Sequence, residues 1–496
     1  MSMINISNLT FSYDNSYDNV FENVSFRIDT DWKLGLTGRN GRGKTTFLKL
    51  LMNKYKYKGT ISHNTEFLYF PFEVRDKSQF TLDIIKEKSL IDDYEYWKIQ
   101  KEISLLDLEE EILYRPFETL SGGEQIKVLL VGMFLKDNCF SLIDEPTNHL
   151  DIKAREIVSD YLKSKKGFIL VSHDRNFLDK CIDHILSINK TNIEIQKGNF
   201  TSWYENKQKQ DRFEISKNEK LKKDILRLEN SSKQSAEWSE KVEKTKNGTR
   251  NSGLRPDKGY IGHKAAKLMK RSKNIQAQKQ SAIKEKSELL KNIEKSSELK
   301  IKFLKHISNR ILSLNDVSLF YNEKIICKNI TFQVNQGDRI AIYGKNGCGK
   351  STILKFIRGD KKINFQGNFE KVSNLKISYV LQNTSGLSGN LKDFAKSENI
   401  DESLFKTILY KLDFSRTQFD KDIINFSEGQ KKKVLLAKSL CEQAHLYLWD
   451  EPLNFIDILS RIQIENLILK FKPTLIFVEH DEAFTKNIAS KIEKVD

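Results

Sequence analysis

Four short motifs occur twice in this chain, and the spacing between their copies constrains the fold more than any other feature. GRNGRGKTT at 38–46 returns as GKNGCGKST at 344–352, and LSGGEQIKV at 120–128 returns as FSEGQKKKV at 426–434. LIDEPTNHLD at 142–151 returns as LWDEPLNFID at 448–457, and all three pairs are displaced by 306 residues. VSHD at 171–174 returns as VEHD at 478–481, displaced by 307, and FSYDN at 11–15 has a counterpart in LFYNE at 319–323. Duplication at a fixed offset means two copies of one domain, about 1–205 and 305–496, with a segment of different character at 206–304 between them.

Each copy alternates strands and helices. KLGLTG and DRIAIYG are strand-like runs ending at glycine, and TTFLKLL and STILKFI after them carry helical apolar spacing. CFSLIDE, HLYLWDE, GFILVSHD and TLIFVEHD are continuous apolar runs ending in carboxylate or histidine. That pattern belongs to buried, mostly parallel strands whose C-terminal ends deliver chemistry. The expected fold class is therefore α/β, as two tandem nucleotide-binding domains joined by a helical linker.

GxxxxGK[ST] between a strand and a helix is a phosphate cradle. Glycines let backbone N–H groups wrap the phosphates, and the helix N-terminus adds a favourable dipole. The first cradle comprises Gly38, Asn40, Gly41, Gly43, Lys44, Thr45 and Thr46, and the second Gly344, Asn346, Gly347, Gly349, Lys350, Ser351 and Thr352. Lys44 or Lys350 reaches the outer phosphates, and Thr45 or Ser351 ligates Mg²⁺. Asp144 and Asp450 end apolar strands, where a carboxylate holds the Mg²⁺ shell. Glu145 and Glu451 follow, placed to orient or polarise the attacking water. His173 and His480 end the next strands, within reach of a γ-phosphate and the same water.

Together these motifs resemble the ATP-binding cassette ATPases, across both halves of the chain. In that family LSGGE lies at a helix N-terminus that meets the γ-phosphate bound to the opposite cassette. The resemblance implies one composite site of Lys44, Glu145 and His173 with Ser427 and Gly429. The other joins Lys350, Glu451 and His480 to Ser121, Gly122 and Gly123. It also implies that Tyr13 and Tyr321 stack on adenine and that Gln382 binds Mg²⁺. Three departures stand out: Phe72 occupies the glutamine position in the first copy, Glu428 replaces a signature glycine in the second, and EPLNFID stands where the first copy has EPTNHLD. Two ATP sites of unequal turnover are expected.

The chain carries 83 Lys/Arg against 67 Asp/Glu, a formal charge of +16, and the excess is local. Residues 241–280 alone hold 12 basic and 2 acidic side chains. No glycine or proline occurs from 199 to 247 or from 263 to 336, and apolar residues recur at Leu221, Ile225 and Leu228, then at Ile283, Leu290 and Ile293. This pattern predicts two long helices folding back on each other, with a basic, turn-rich tip near 245–262. Lys246, Arg250, Arg255, Lys258, Lys264, Lys267, Lys270 and Arg271 are the candidate RNA-binding residues there.

A fused cassette pair with a basic helical hairpin between its halves resembles subfamily F of the cassette ATPases. That resemblance implies a partner, the ribosome, entered at the tRNA exit site, with the linker reaching toward large-subunit RNA, the peptidyl-site tRNA and the peptidyl transferase centre. WKLGLTGRNGRGKTT, RPFETLSGGE, GFILVSHDR, KAAKLMKRSK and WDEPLNFID look most like the Lsa type of antibiotic-resistance protein, associated with lincosamides, pleuromutilins and streptogramin A. Gly38 to Ser121 and Gly344 to Ser427 both span 83 residues, so the first cassette lacks the extra arm that housekeeping members insert.

A housekeeping translation factor of the same subfamily is the alternative. The dual ATPase subunit of an importer fits less well, because its cassettes should be joined by a short connector. A DNA-repair or chromosome-type ATPase would carry its coiled coil inside a cassette. Five scattered cysteines without CxxC or His-Cys spacing read as free thiols in a reducing compartment. No apolar run approaches the roughly 18 residues of a membrane span. A cytoplasmic monomer with intramolecular cassette pairing and no membrane partner is expected.

Overall fold

The computed structural model describes the chain except for residues 1, 14–18, 148–149, 190–192, 245–258, 260–261, 265, 268–269, 272, 276, 279–280, 282–298, 322–323, 346, 416–417 and 496. It divides into two compact units, Met1–Thr201 together with Ser296–Asp496, and Ser202–Lys295. The first holds both cassettes. Its strands in chain order are β1 (Met3–Phe11), β2 (Phe21–Asp29), β3 (Lys33–Thr37), β4 (Lys58–Ser62), β5 (Glu66–Phe70), β6 (Cys139–Asp144), β7 (Phe168–Val171), β8 (His184–Ile188) and β9 (Ile193–Lys197). The second cassette adds β10 (Arg310–Tyr321), β11 (Lys324–Asn335), β12 (Arg339–Tyr343), β13 (Ile363–Lys371), β14 (Ile377–Val380), β15 (Leu446–Asp450), β16 (Leu475–Val478) and β17 (Lys491–Lys494).

Each cassette repeats one plan. A main sheet runs in the order β5-β6-β7-β3-β8-β9 in the first and β14-β15-β16-β12-β17 in the second, beside small antiparallel sheets β2-β1-β4 and β11-β10-β13. Neighbours in the main sheets are parallel apart from the β8–β9 pair. The continuous apolar runs follow from burial on both faces. In the second cassette Ile340, Ile342, Leu446, Leu448, Ile476 and Val478 pack with Ile353, Leu354 and Ile357 of the helix after the phosphate loop. The alternate residues Ala341, Tyr447, Trp449, Leu475 and Phe477 pack with Val434, Leu436, Leu440, Ile464 and Ile468 of the helices on the other face. Polar alternation would leave one face wet, and neither face is.

Register places the chemistry at one sheet edge. Asp144 pairs with Val171, and Asp450 with Val478, so each strand-end carboxylate sits beside the residue two before a candidate histidine. The signature helices, Gly122–Phe134 and Glu428–Cys441, begin at capping boxes, Ser121 with Glu124 and Ser427 with Gln430. Each box satisfies helix-end N–H groups and fixes where the helix starts.

Most of the second unit's described length is the helix Phe200–Lys244, 45 residues long and beginning two residues before that unit, which at 1.5 Å per residue extends about 68 Å. The described residues at 262–264, 266–267, 270–271, 273–275 and 277–278 are also helical. Ile283, Leu290 and Ile293, Lys246, Arg250, Arg255 and Lys258, and all of the tip near 245–262 save Gly259 and Gly262, lie outside the described residues. Among the described residues no helix is long and apolar enough to cross a membrane.

Candidate functional site

Both phosphate loops are held open by glycines no other residue could replace cheaply. Gly43 and Gly349 have φ of 91° and 96°, in the left-handed region, and each precedes its helix directly. A Cβ on Gly43 would stand 2.6 Å from Val20, and one on Gly349 2.2 Å from the Cys327 sulfur. Gly41 and Gly347 are likewise left-handed, at 82° and 83°. Lys44 Nζ donates to the carbonyls of Gly38 (2.7 Å) and Arg39 (3.3 Å) and to Asn40 Oδ1 (3.2 Å). Lys350 Nζ donates to the carbonyls of Gly344 and Lys345, both at 2.8 Å. Each ammonium thus folds back over its own loop. Thr46 and Thr352 lie on the first turns of the two helices, and Asn346 is outside the described residues.

Thr45 Oγ1 donates to Asp144 Oδ2 at 3.0 Å, and Ser351 Oγ to Asp450 Oδ1 at 2.9 Å. Hydroxyl and carboxylate oxygens side by side are hard donors, a fit for Mg²⁺. The same carboxylates accept from tyrosines that the sequence reading missed, Tyr69 at 2.9 Å and Tyr379 at 3.3 Å. The paired strands YFP and YVL carried that signal. Gln382 lines the second site's cavity. Phe72 contributes no oxygen: its ring lies 4.9 Å from Lys88 Nζ, and a Cβ on Gly132 would touch it at 3.7 Å.

Glu145 and Glu451 share an uncommon backbone, with φ of 52° and 46°. Each is pinned there by its amide donating to the next strand, to Val171 O (2.9 Å) and Val478 O (3.0 Å). Non-glycine residues enter this region at a cost of about 1–2 kcal/mol, and such strain gathers at functional positions. Glu145 Oε1 lies 3.3 Å from His173 Nε2, and Glu451 Oε1 lies 3.6 Å from His480 Nε2. The two glutamates differ electrostatically. Burial, reinforced by Asp144, pushes Glu145 up to about 8. Glu451 is also buried, but His480, Gln382 and Lys432 together outweigh that burial and hold it below the usual carboxylate range. Burial, with Lys44 adding to it, pushes His173 well below the ordinary histidine value and keeps it neutral.

The second copy buries two opposite charges where the first has neutral side chains, Glu479 and Lys432. Glu479 stands where the first copy has Ser172, and it accepts from the amides of Leu453 (2.7 Å) and His480 (3.1 Å). In the first copy Thr147 and Ser172 hydroxyls meet at 3.3 Å instead. The exchange of EPTNHLD for EPLNFID is therefore linked to that of VSHD for VEHD. Lys432, 306 residues after Ile126, is buried and donates to Leu381 O at 2.8 Å and Asp450 O at 3.4 Å. Lining up the copies residue by residue exposes both substitutions.

The cassettes face each other head to tail, and the two junctions differ. At the first phosphate loop, Asn40 Nδ2 donates to Phe455 O of the second cassette at 2.8 Å. A Cβ on Gly429 would stand 2.9 Å from Asn40 Nδ2, so this signature is directly against that loop. Ser427 caps the same helix. The neighbouring Glu428 faces its own cassette, hydrogen-bonded to Thr384 and, at 3.2 Å, to Lys431. The second phosphate loop opens on a cavity of about 520 Å³ lined by Lys350, Ser351, Thr352, Gln382, Glu451 and His480 with Leu150 and Arg155 of the first cassette. Arg155 Nη1 bridges Asp174 Oδ2 at 3.1 Å and His480 O at 3.0 Å. Ser121, Gly122 and Gly123 line a separate hollow of about 690 Å³ and not that cavity.

Tyr13 Oη and Thr46 Oγ1 lie 2.6 Å apart, and its ring packs edge-on against Phe11 and Tyr55. Tyr321 ends β10, paired with Lys324 and Ile363. Lys264, Lys267, Lys270 and Arg271 are exposed on helical backbone in the other unit.

The ABC transporter family matches at residues 21–148 and again at 327–454. The chain is 30% identical over 529 residues to the ATP-binding protein Uup of Buchnera aphidicola subsp. Acyrthosiphon pisum, covering 99% of this chain and 80% of Uup. It is 29% identical to the ribosome protection protein VmlR of Bacillus subtilis, covering 91% and 79%, and 25% identical to ABC transporter F family member 5 of Arabidopsis thaliana, covering 95% and 72%. Among solved structures it shares its fold with the archaeal ribosome recycling factor aABCE1, at TM-score 0.61 and 17% identity, over 98% of this chain and 87% of that one. Two family domains, each with phosphate loop, strand-end Asp-Glu and histidine in register, make this chain a member of the ABC transporter family, an ATP-hydrolysing tandem of its ATP-binding domains with relatives in the F branch.

Proposed function

We propose that the protein is a cytoplasmic, monomeric ribosomal-protection ATPase, with domains at 1–205 and 305–496 and a hairpin at 206–304. It enters the exit-site region with ATP bound and uses its linker, against large-subunit RNA and peptidyl-site tRNA, to free the peptidyl transferase centre of lincosamides, pleuromutilins and streptogramin A. One observation carries this reading: a 45-residue helix follows the first cassette in the chain and runs into a segment with 12 basic and 2 acidic residues at 241–280. A charged arm of that length suits RNA recognised through shape and phosphate. VmlR, named a ribosome protection protein, resembles the chain over 91% of its length.

Within each site, Lys44 or Lys350 with the loop amides holds the phosphates. Thr45 with Asp144, and Ser351 with Asp450 and Gln382, would hold Mg²⁺, which when bound offsets the phosphate charge. Glu145 and Glu451 orient water, His173 and His480 fix those glutamates, and the signature serines and glycines close on the nucleotide from the opposite cassette. Tyr13 and Tyr321 stack on the base.

A housekeeping translation factor is the second reading, favoured by the equal similarity to Uup, whose name records only ATP binding. Growth of a susceptible host on lincomycin, a pleuromutilin and streptogramin A separates the two. Protection is expected with the gene, and shortening 250–259 should remove it or change its spectrum while ATPase persists. Equal growth with and without the gene favours the housekeeping factor. Full resistance to all three drugs after the shortening removes the tip as effector.

A further inference from the structure

Arg42 sits inside the first phosphate loop but reaches away from it, across the junction. Its Nη2 lies 3.3 and 3.5 Å from the two carboxylate oxygens of Asp413, and Arg39 Nη1 stands 3.9 Å from the same group. Asp413 belongs to the second cassette, just past the helix Glu402–Lys411, with a left-handed φ of 69°. Lys433 fixes that turn by donating to Leu412 O at 2.8 Å.

The first cassette builds the same turn. Asp107 is 306 residues before Asp413, has φ of 51°, and follows Leu106, whose carbonyl accepts from Lys127 at 2.8 Å. Its counterpart across the second junction would be the residue 306 after Arg42, and that is Cys348. Asp107 instead lies 3.5 Å from Lys153 of its own cassette. The duplication thus keeps the acidic turn in both copies and the arginine in only one. The arginine copy is also the one whose loop is joined to the opposite cassette through Asn40 and Phe455, whereas the cysteine copy opens on the cavity of about 520 Å³.

We propose that Arg42 and Asp413 form a latch that holds the first ATP site shut, leaving the Lys350 site as the one that opens to exchange nucleotide. Both are positioning residues, acting through the separation of the cassettes. The latch rests on the two-site ATP reading given above. Both side chains are largely buried, at 25% exposure each, so losing one partner acts chiefly on dissociation, by about fivefold for a pair still partly open to water.

The test is release of a fluorescent, non-hydrolysable ATP analogue chased by unlabelled ATP, from the full-length protein. With Lys350→Ala only the first site retains the analogue, and with Lys44→Ala only the second. In the first background Arg42→Gln and Asp413→Asn should each speed release about fivefold, the double variant no more than either alone, and Asp413→Glu should stay slow. In the second background Cys348→Arg should slow release by pairing with Asp107, and Asp107→Asn should cancel that gain. Additive effects of the two single variants, or release unmoved by Asp413→Asn, would overturn the latch. If neither lysine variant changes analogue binding, the ATP reading itself fails, and the latch with it.

Discussion

At the scale of single residues, the two copies tolerate the same change differently because only one is tightly packed at each position. Asp457 and Asp151 both cap the helix that follows them. Asp457 also forms a 2.8 Å ion pair with Lys433, both side chains being almost wholly buried, and that pair holds its carboxyl well below the usual range. Asp457→Ala leaves a buried ammonium unpaired and should cost about 3–5 kcal/mol, whereas the exposed Asp151 loses only a cap, about 1 kcal/mol, in urea unfolding. A carboxylate depressed in the folded state stabilises above its unfolded value and loses that contribution as pH falls. The difference between wild type and Asp457→Ala should therefore persist at neutral pH and shrink only below about 4. The signature glycines give a second contrast. A Cβ at Gly429 meets Phe455 O at 2.3 Å and Asn40 at 2.9 Å, while one at Gly123 meets nothing nearer than Leu150 at 3.6 Å. Gly429→Ala should weaken analogue retention at the first site at least tenfold, and Gly123→Ala should weaken it at the second by clearly less.

At the scale of elements, the strands were legible because both faces of each main sheet are covered, so apolar runs such as CFSLIDE and TLIFVEHD announce themselves without long-range information. The glutamates and histidines at their ends came with them. The contacts that make the junctions were not legible. Asn40 meets Phe455 across 415 residues and Arg42 meets Asp413 across 371, and no local pattern encodes such a pairing. Nor did spacing show that Gly429 abuts a phosphate loop while Gly123 faces a separate hollow, because the two signatures share an offset and differ only in what stands opposite. Lys432 and Glu479 lay in plain view as departures from the first copy, yet their meaning depends on both being buried, Lys432 against Asp450 O and Glu479 against the Leu453 amide. The arm carries its own prediction. Lys264, Lys267, Lys270 and Arg271 are exposed on helical backbone, and each phosphate they contact releases counterions on binding. Neutralising all four should weaken ribosome binding and lower the slope of log K against log salt by about 3, with the isolated protein's ATPase little changed. An unaltered slope would remove them from the RNA interface.

At the scale of the whole molecule, two unlike junctions share one chain with a long basic helical segment. Glu145 is pushed up by burial and Glu451 held down by His480, Gln382 and Lys432 together, and the first phosphate loop is joined to the opposite cassette where the second opens on a cavity. Glu145→Gln and Glu451→Gln should consequently leave unequal residual ATPase rates, and equal rates would contradict that asymmetry. On the proposed function, ATP binding drives the protein onto the ribosome and hydrolysis releases it. The most direct test is co-sedimentation of the double variant Glu145→Gln, Glu451→Gln with ribosomes, in ATP and in ADP. The phosphate loops and the residues proposed to hold Mg²⁺ are intact in this variant, so it should accumulate on ribosomes in ATP well beyond wild type, and not in ADP. Co-sedimentation in ATP no stronger than wild type would contradict it.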